Sequence, residues 1–151
     1  MILTGEVRYM EEALALAIEA AACGEVPVGC VIVCDGKIVG RGRNRREEEQ
    51  NALLHAEIIA IEEACRNLGS WRLNECDLYV TLEPCPMCAG AILHARIPRI
   101  VCGAMDPVAG AMGSVWAIQR HPVESKHTKV EYGCLEDECS ALLKDFFISR
   151  R

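Results

Sequence analysis

The dipeptide Asp35-Gly36 restricts the fold of this 151-residue chain more than any other feature. It separates two short strand-like runs, residues 28–34 and 37–43, and Asp-Gly between such runs is a strong signal for a two-residue β-hairpin turn. A hairpin makes its two strands antiparallel. We therefore expect a sheet that contains an antiparallel pair near the start of the chain.

Apolar residues at helical spacing predict amphipathic helices near both ends and in the middle of the chain. In the first helix the predicted buried residues are Val7, Met10, Leu14, Ile18 and Ala21, and Gly24 follows as a C-terminal cap. In the second helix they are Ile58, Ile61, Cys65 and Leu68. In the last helix they are Leu135, Cys139, Leu142, Phe146 and Phe147.

Between these helices the sequence predicts three more strands and one more helix. The strands cover residues 77–82, 99–103 and 128–132, and residues 106–113 form a loop. Pro84-Cys85-Pro86 opens a helix that runs to about His94, because proline is tolerated in a first turn. We expect one α/β domain over residues 1–151, with a mixed sheet of about five strands covered by helices on both faces.

Composition argues against two broad classes of protein. An apolar fraction of 51% is too high for a disordered chain. Sixteen Lys and Arg against 22 Asp and Glu give a net charge of −6, which disfavours a protein that grips long nucleic acids by charge alone. A local basic patch remains compatible with this balance.

The ten cysteines and the absence of a leader pattern favour a cytosolic protein. Most of the cysteines lie in apolar runs, where a free thiol behaves as a small core residue. Residues 13–23 are apolar except Glu19, but Glu11 and Glu12 precede them where a signal peptide would be basic. The segment is also too short to span a bilayer.

Two short clusters carry the chemistry. His55-Ala56-Glu57 opens the second helix, and Pro84-Cys85-Pro86-Met87-Cys88 opens the third. Cys85 and Cys88 are one helical turn apart, and a helix N-terminus favours the thiolate that binds metals. With His55 they make three nitrogen and sulfur ligands, the pattern of a catalytic zinc with a fourth position open for water.

Each cluster alone has other interpretations. A single CxxC is also found in structural metal sites, redox proteins and plain cores. A structural zinc would need a fourth ligand, for which His94, His121, His127 and Cys102 are available without a clear spacing argument. The joint occurrence of H-x-E and P-C-x-x-C, each opening a helix, is much more specific.

Together these motifs resemble the signature of the zinc-dependent nucleobase deaminases. The chain is similar to bacterial tRNA-specific adenosine deaminases over nearly its whole length. The matching segments are Glu25-Val26-Pro27-Val28-Gly29, Asn44, His55-Ala56-Glu57, residues 78–91, Gly103-Ala104, Asp106, Gly113-Ser114 and residues 142–147. The resemblance implies a cytidine-deaminase-like three-layer α/β/α sandwich and a homodimer that converts the wobble adenosine of a tRNA anticodon stem-loop to inosine.

The resemblance also implies a role for individual residues. His55, Cys85 and Cys88 would hold one Zn²⁺ per chain, and Glu57 would move the protons while activated water attacks C6 of the flipped adenine. Asn44 would hydrogen-bond the base or ribose, although an amide at that position also fits a turn cap. Backbone N–H groups around Ala56 and Cys85 would line the pocket.

Contacts with RNA are harder to assign. Four arginines surround Asn44, namely Arg41, Arg43, Arg45 and Arg46, but Glu47, Glu48 and Glu49 follow at once. Arg72, Asp106, Phe147 and the terminal Arg150-Arg151 are further candidates for substrate binding. The chain departs from the family at Pro107 and Val108, where relatives commonly carry a smaller residue and a lysine.

Three other functions remain as alternatives. A deaminase of a free base or nucleoside, of the guanine or cytosine type, would share the metal site. A non-catalytic zinc-binding module would not need Glu57 beside an open position. A redox protein would form a reversible Cys85–Cys88 disulfide and bind no metal.

Overall fold

The computed structural model describes residue 2, residues 4–122 and residues 128–150. Over these residues the helices are α1 (Val7–Ala22), α2 (Ala56–Leu68), α3 (Pro86–His94) and α4 (Glu136–Ser149). The strands are β1 (Gly29–Cys34), β2 (Lys37–Arg43), β3 (Cys76–Leu82), β4 (Arg99–Ala104) and β5 (Lys129–Glu131). This confirms the predicted order. Two 3-10 turns, Thr4–Glu6 and Ile118–Arg120, were not predicted.

The strands form one mixed sheet in the order β2-β1-β3-β4-β5 across the described part of the chain. β1 pairs antiparallel with β2 and β3, whereas β4 pairs parallel with β3 and β5. In the β1–β2 turn Asp35 and Gly36 have φ values of 52° and 74°, so both residues are left-handed, as a type I′ hairpin requires. The prediction from Asp-Gly is confirmed.

Helices cover both faces of this sheet. α1 and α4 pack on one face around Met10, Val31, Val101 and Cys139. α2 and α3 pack on the other face around a larger apolar cluster that includes Ile32, Leu78, Ile92 and Ile100. The predicted three-layer α/β/α sandwich is therefore confirmed. None of the helices in the described residues has the length and apolar character needed to cross a membrane.

The predicted buried faces of the helices are partly wrong. Ile18 and Leu68 are 54% and 40% exposed, and Phe147 of α4 is 52% exposed. The helix faces against the sheet are instead built largely of alanines, namely Ala13, Ala17 and Ala20 in α1 and Ala56, Ala60 and Ala64 in α2.

Close backbone approach explains this choice of residue. A Cβ atom at Gly29 would collide with the carbonyl oxygen of Ala13, and one at Gly42 would collide with that of Ala56. Helix and strand are so near that only small side chains fit between them. The larger apolar residues therefore lie on the flanks of the helices.

Chain direction brings two helix N-termini to one edge of the sheet. β2 and β3 run in the same direction because each is antiparallel to β1. α2 follows β2 through a loop of residues 44–55, and α3 follows β3 after residues 83–85. Both helices consequently begin at the carboxyl ends of these strands, where open α/β sheets bind their ligands.

Candidate active site

The two sequence clusters meet at this edge. His55 and Cys85 are the N-cap residues of α2 and α3, and both have extended backbones with ψ values of 156° and 173°. Cys88 lies in the first turn of α3. His55 Nδ1 is 3.6 Å from the Sγ atoms of both Cys85 and Cys88, and the three ligand atoms lie within 4.8 Å of one another. The structure thus brings the three predicted ligands together.

Their spacing fits a tetrahedral zinc. With Zn–S of about 2.3 Å and Zn–N of about 2.0–2.1 Å, tetrahedral angles place nitrogen and sulfur about 3.6 Å apart. The cluster that could hold a metal consists of His55, Cys85 and Cys88. Among the described residues, no fourth His, Cys, Asp or Glu belongs to it. His94, His121 and Cys102 do not join it, and His127 lies outside the described residues. Three ligands and an open position are typical of catalytic zinc.

The two thiols differ in their ionisation. Hydrogen bonds from Cys88 and His55 lower the pKa of the Cys85 thiol to about 4. The bond to Cys85 and burial raise the pKa of Cys88 well above its usual value. The bond to Cys85 also raises the pKa of His55. Within this cluster Cys85 is thus the thiol that ionises more readily, and a metal that binds here releases the protons that its ligands still carry.

Glu57 lies in the first turn of α2 and is almost completely buried, with 4% of its surface exposed. Burial raises the pKa of its carboxyl to about 7. A carboxyl group with such a pKa can both take up and release a proton near neutral pH, as general acid–base catalysis requires. Glu57 is not one of the three clustered ligands.

A cavity of about 190 Å³ opens beside these groups. Its lining residues are Val26, Val28, Asn44, Arg46, His55, Ala56, Glu57, Leu82, Glu83, Cys85, Asp106 and Ala109. The Asn44 amide donates to the Val26 carbonyl at 3.3 Å and accepts from the Arg46 N–H at 3.1 Å. It caps the turn and also lines the cavity, and its second N–H is a donor that can serve a ligand.

Comparison with known proteins identifies the family. Residues 4–104 match the family model described as the cytidine and deoxycytidylate deaminase zinc-binding region. The chain is 45% identical over 145 residues to the tRNA-specific adenosine deaminase of Bacillus subtilis, covering 96% of this chain and 90% of that protein. The chain belongs to the tRNA-specific adenosine deaminase family. It is a zinc-dependent deaminase.

Two solved structures support this placement. The first structure comes from studies of A-to-I editing by tRNA:A34 deaminases. It is 44% identical in sequence to this chain and has a TM-score of 0.87, and the match covers 90% of this chain and 99% of the chain in that structure. The guanine deaminase of Bacillus subtilis is 40% identical with a TM-score of 0.62, but the match covers only 65% of this chain and 63% of that chain. The adenosine deaminase likeness extends over more of the fold.

Two buried carboxylates shape the site of this deaminase, and sequence reasoning gave them no role. Glu83 accepts the N–H groups of Asp106, Met112 and Ser114 at 3.0–3.1 Å, and also the Ser114 hydroxyl. Burial alone would raise the pKa of Glu83, but these hydrogen bonds hold it below its usual value. Residues 105–117, here called the 105–117 loop, are thereby tied to the end of β3.

Glu25 does the same for the loop before His55. Its carboxylate accepts the Glu47 N–H at 3.1 Å and the Glu48 N–H at 2.6 Å. Both glutamates stand next to apolar residues in the sequence, and this pattern could have identified them as buried carboxylates. Glu25 precedes Val26-Pro27-Val28, and Glu83 lies between Leu82 and Pro84. An acidic residue that is buried in such a run needs a hydrogen-bonding partner.

Asp106 has a structural role as well as a place in the cavity wall. Its carboxylate accepts the N–H groups of Val108 and Ala109 at 3.0 and 3.1 Å. Val108, one of the two departures from the family, is 82% exposed on the outer side of this turn. Val108 therefore does not line the cavity of the deaminase.

Two of the predicted substrate contacts lie away from the cavity. Arg72 stacks on the exposed Trp71 ring at 4.3 Å, beyond the C-terminal end of α2, and the 13 residues of that helix rise about 20 Å from His55. Phe147 packs edge-to-face on Phe146. Neither residue lines the cavity of the deaminase.

The predicted arginine patch is largely paired within the protein. Arg43 contacts Glu48 at 3.1 Å, and Arg45 contacts Glu48 and Glu49 at 2.9 Å. Arg46 differs because it lines the cavity and approaches Glu47 only to 3.9 Å. Arg41 lies outside the cavity lining, Arg150 lies over the Phe146 ring, and Arg151 is outside the described residues.

Proposed function

We propose that this chain hydrolyses the wobble adenosine of tRNA anticodons to inosine and ammonia, with His55, Cys85 and Cys88 as the zinc ligands. The observation that carries the proposal is the 3.6 Å spacing of these ligands beside a buried Glu57 in one cavity. The 45% identity to a tRNA-specific adenosine deaminase supports the choice of substrate. When bound, zinc lowers the pKa of water at the open position to about 7 and so supplies the nucleophile.

Glu57 is the proposed catalytic acid and base. It takes a proton from the attacking water, delivers it to the ring nitrogen next to C6, and later protonates the departing amino group. Burial excludes bulk water from Glu57 and raises the pKa of its carboxyl to about 7. A pKa near neutral pH suits both the uptake and the release of a proton.

The remaining cavity residues hold the base. Asn44 is fixed by two backbone hydrogen bonds, so it can present its free N–H without losing side-chain freedom on binding. The cavity is smaller than the 300 Å³ or so at which pockets for drug-sized ligands begin. We expect the flipped base to enter and the ribose and phosphates to stay outside.

Outside the cavity, Arg46 is the proposed phosphate contact. It lines the cavity mouth and has only a loose ion pair, so it can turn to RNA without breaking a tight one. Arg46→Gln should weaken binding to an anticodon stem-loop and leave zinc content unchanged. Lys144→Gln, an exposed change on α4, serves as the control for lost charge. Equal weakening in both variants would mean that Arg46 has no specific role.

Turnover on an anticodon stem-loop against free bases tests the proposed substrate. Inosine should form in the stem-loop far faster than in free adenosine, because flanking nucleotides add phosphate and 2′-OH contacts. The second candidate is a deaminase of free guanine, favoured by the 40% identity to the guanine deaminase of Bacillus subtilis. Guanine turnover that exceeds stem-loop turnover would select that candidate.

The proposal includes a single domain over residues 1–151, a cytosolic location and a homodimer. The expected contact surface of the dimer includes residues 89–95, at the end of α3. Ala89, Ile92 and Leu93 of that helix are already buried in the monomer core. Gly90 has open space where a Cβ would lie, so a second helix can approach closely there. Gly90→Arg should convert the dimer to a monomer by light scattering. An unchanged mass would place the interface elsewhere.

A further inference from the structure

Two cysteines face each other at the opposite end of the sheet from the active site. Cys34 is the last residue of β1 and Cys76 is the first residue of β3, and the antiparallel register places them directly opposite each other. Opposed residues of a strand pair project their side chains to the same face. Both side chains therefore lie on the α2 side of the sheet, where Cys76 is buried and Cys34 is partly buried.

Directly opposed residues of two antiparallel strands form either a hydrogen-bonded or a non-hydrogen-bonded pair, and the backbone hydrogen bonds show which kind Cys34 and Cys76 form. A two-residue turn separates Cys34 from Lys37, its partner in β2, and the residues that flank such a turn bond to each other, so the backbone N–H and C=O of Cys34 point toward β2. On the other strand the Cys76 N–H donates to the Leu73 carbonyl at 3.1 Å. Cys34 and Cys76 are thus a non-hydrogen-bonded pair, in which Cα atoms lie about 4.5 Å apart and side chains are closest.

That distance lies within the range of about 4.4–6.8 Å over which two Cα atoms can be joined by a disulfide. Both thiols are free in this structure. Burial and the neighbouring Cys34 raise the pKa of Cys76 to about 12, so the more exposed Cys34 is the thiol that reacts first with an external reagent.

We propose that Cys34 and Cys76 are a redox-modification site that forms a reversible cross-strand disulfide with a low-molecular-weight disulfide as the oxidant. The Cys34 thiolate attacks one sulfur of the oxidant and releases one small thiol, which leaves a mixed disulfide on Cys34. The Cys76 thiolate then attacks the Cys34 sulfur and releases the second small thiol. The two protein thiols lose two protons and two electrons, and the oxidant gains both.

The product would link β1 to β3 around a loop of about 40 residues that contains α2. Closing a loop of this size constrains the unfolded chain, and we expect the thermal midpoint to rise by about 5–10 °C. The zinc ligands are at the other end of β3, whose seven residues span roughly 20 Å, so the metal content should not change.

Oxidised glutathione, applied to the zinc-loaded full chain, tests this proposal. Peptide mapping should find a Cys34–Cys76 link that dithiothreitol reverses, with zinc retained and the thermal midpoint raised. Cys34→Ser and Cys76→Ala should each abolish both the link and the thermal shift. Cys65→Ser is the matched control, because Cys65 packs against the same apolar cluster and should not be needed.

The exposed Cys23 is an internal control for access of the reagent, since it should take up glutathione without forming an internal link. Three outcomes would overturn the proposal. The first is a disulfide between Cys85 and Cys88 alone, with loss of zinc. The second is a disulfide in which Cys65 replaces Cys34 or Cys76. The third is a stable glutathione adduct on Cys34 with no disulfide inside the chain.

Discussion

Replacing Glu83 with glutamine should weaken the attachment of the 105–117 loop to the end of β3. Each carboxylate oxygen of Glu83 accepts two hydrogen bonds, Oε1 from Asp106 and the Ser114 hydroxyl, and Oε2 from Met112 and the Ser114 N–H. An amide of the same size keeps one oxygen and puts an NH₂ group against two donors. With the NH₂ group at the Oε1 position, the Ser114 hydroxyl can turn to accept from it, and the Asp106 N–H is the donor that loses its acceptor.

The expected cost follows from that one donor. A donor that loses its acceptor away from water costs about 1–3 kcal/mol, so Glu83→Gln should lose about 1–3 kcal/mol of unfolding free energy while the loop stays in place. If the loop lifts into water instead, stability falls less, and the cavity loses the wall formed by Asp106 and Ala109. KM for the stem-loop should then rise, with zinc retained. Urea unfolding and steady-state kinetics measure the two effects.

Ser114→Ala is the matched control, because it removes one donor and leaves the carboxylate intact. We expect a loss of about 1 kcal/mol from this variant. Unchanged stability together with unchanged KM in Glu83→Gln would refute the reasoning, since the loop would then not depend on the carboxylate.

Acid adds an independent check on the same group. The pKa of Glu83 is lowered in the folded protein, so its stabilising contribution is complete above the ordinary glutamate pKa of about 4.3. It is lost as pH falls through the lower, folded-state value. Acid titration of unfolding should therefore show a smaller loss of stability in Glu83→Gln than in the parent chain.

Three further predictions concern the metal, the proton transfer and the packing. His55→Ala and Cys85→Ala each remove a proposed ligand and should lower zinc below one per chain by elemental analysis; full occupancy in both would mean a different ligand set. Glu57→Gln should keep its zinc but lose about 10²–10⁴-fold in turnover, and near-normal rates would remove Glu57 from the chemistry. Gly42→Ala should destabilise the fold by about 1–3 kcal/mol because its methyl group meets the backbone of α2, whereas Gly5→Ala, which meets no atom within 4 Å, should not.

Local spacing made the metal group predictable from sequence. Cys85 and Cys88 are one turn apart at a helix start, and His55 precedes a second helix, so each cluster needed only its own few residues. The role of Glu83 was not predictable in this way. Its hydrogen bonds join residues 23, 29 and 31 positions apart, and nothing in the local pattern identifies those partners.

The buried helix faces were mispredicted for a different physical reason. Amphipathic spacing ranks residues by hydrophobicity, and by that measure Ile18 and Leu68 belong inside. Packing in this fold is decided by distance, because α1 and α2 lie against glycines of β1 and β2. An alanine therefore fits between helix and sheet where an isoleucine does not. The sequence shows this only when the glycines of the strands and the alanines of the helices are considered together.

The alanine faces also affect how firmly the metal ligands are held. Alanine has no side-chain torsion, so the contact of α2 with β1 and β2 contains few rotamers that can interconvert. Helix α2, which follows His55, is therefore positioned by direct contact between its backbone and the backbone of the strands. Changes of rotamer in the packed side chains do little to change the distance between the start of this helix and the thiols of α3. The backbone of His55, the proposed nitrogen ligand, is therefore already in place before a metal binds.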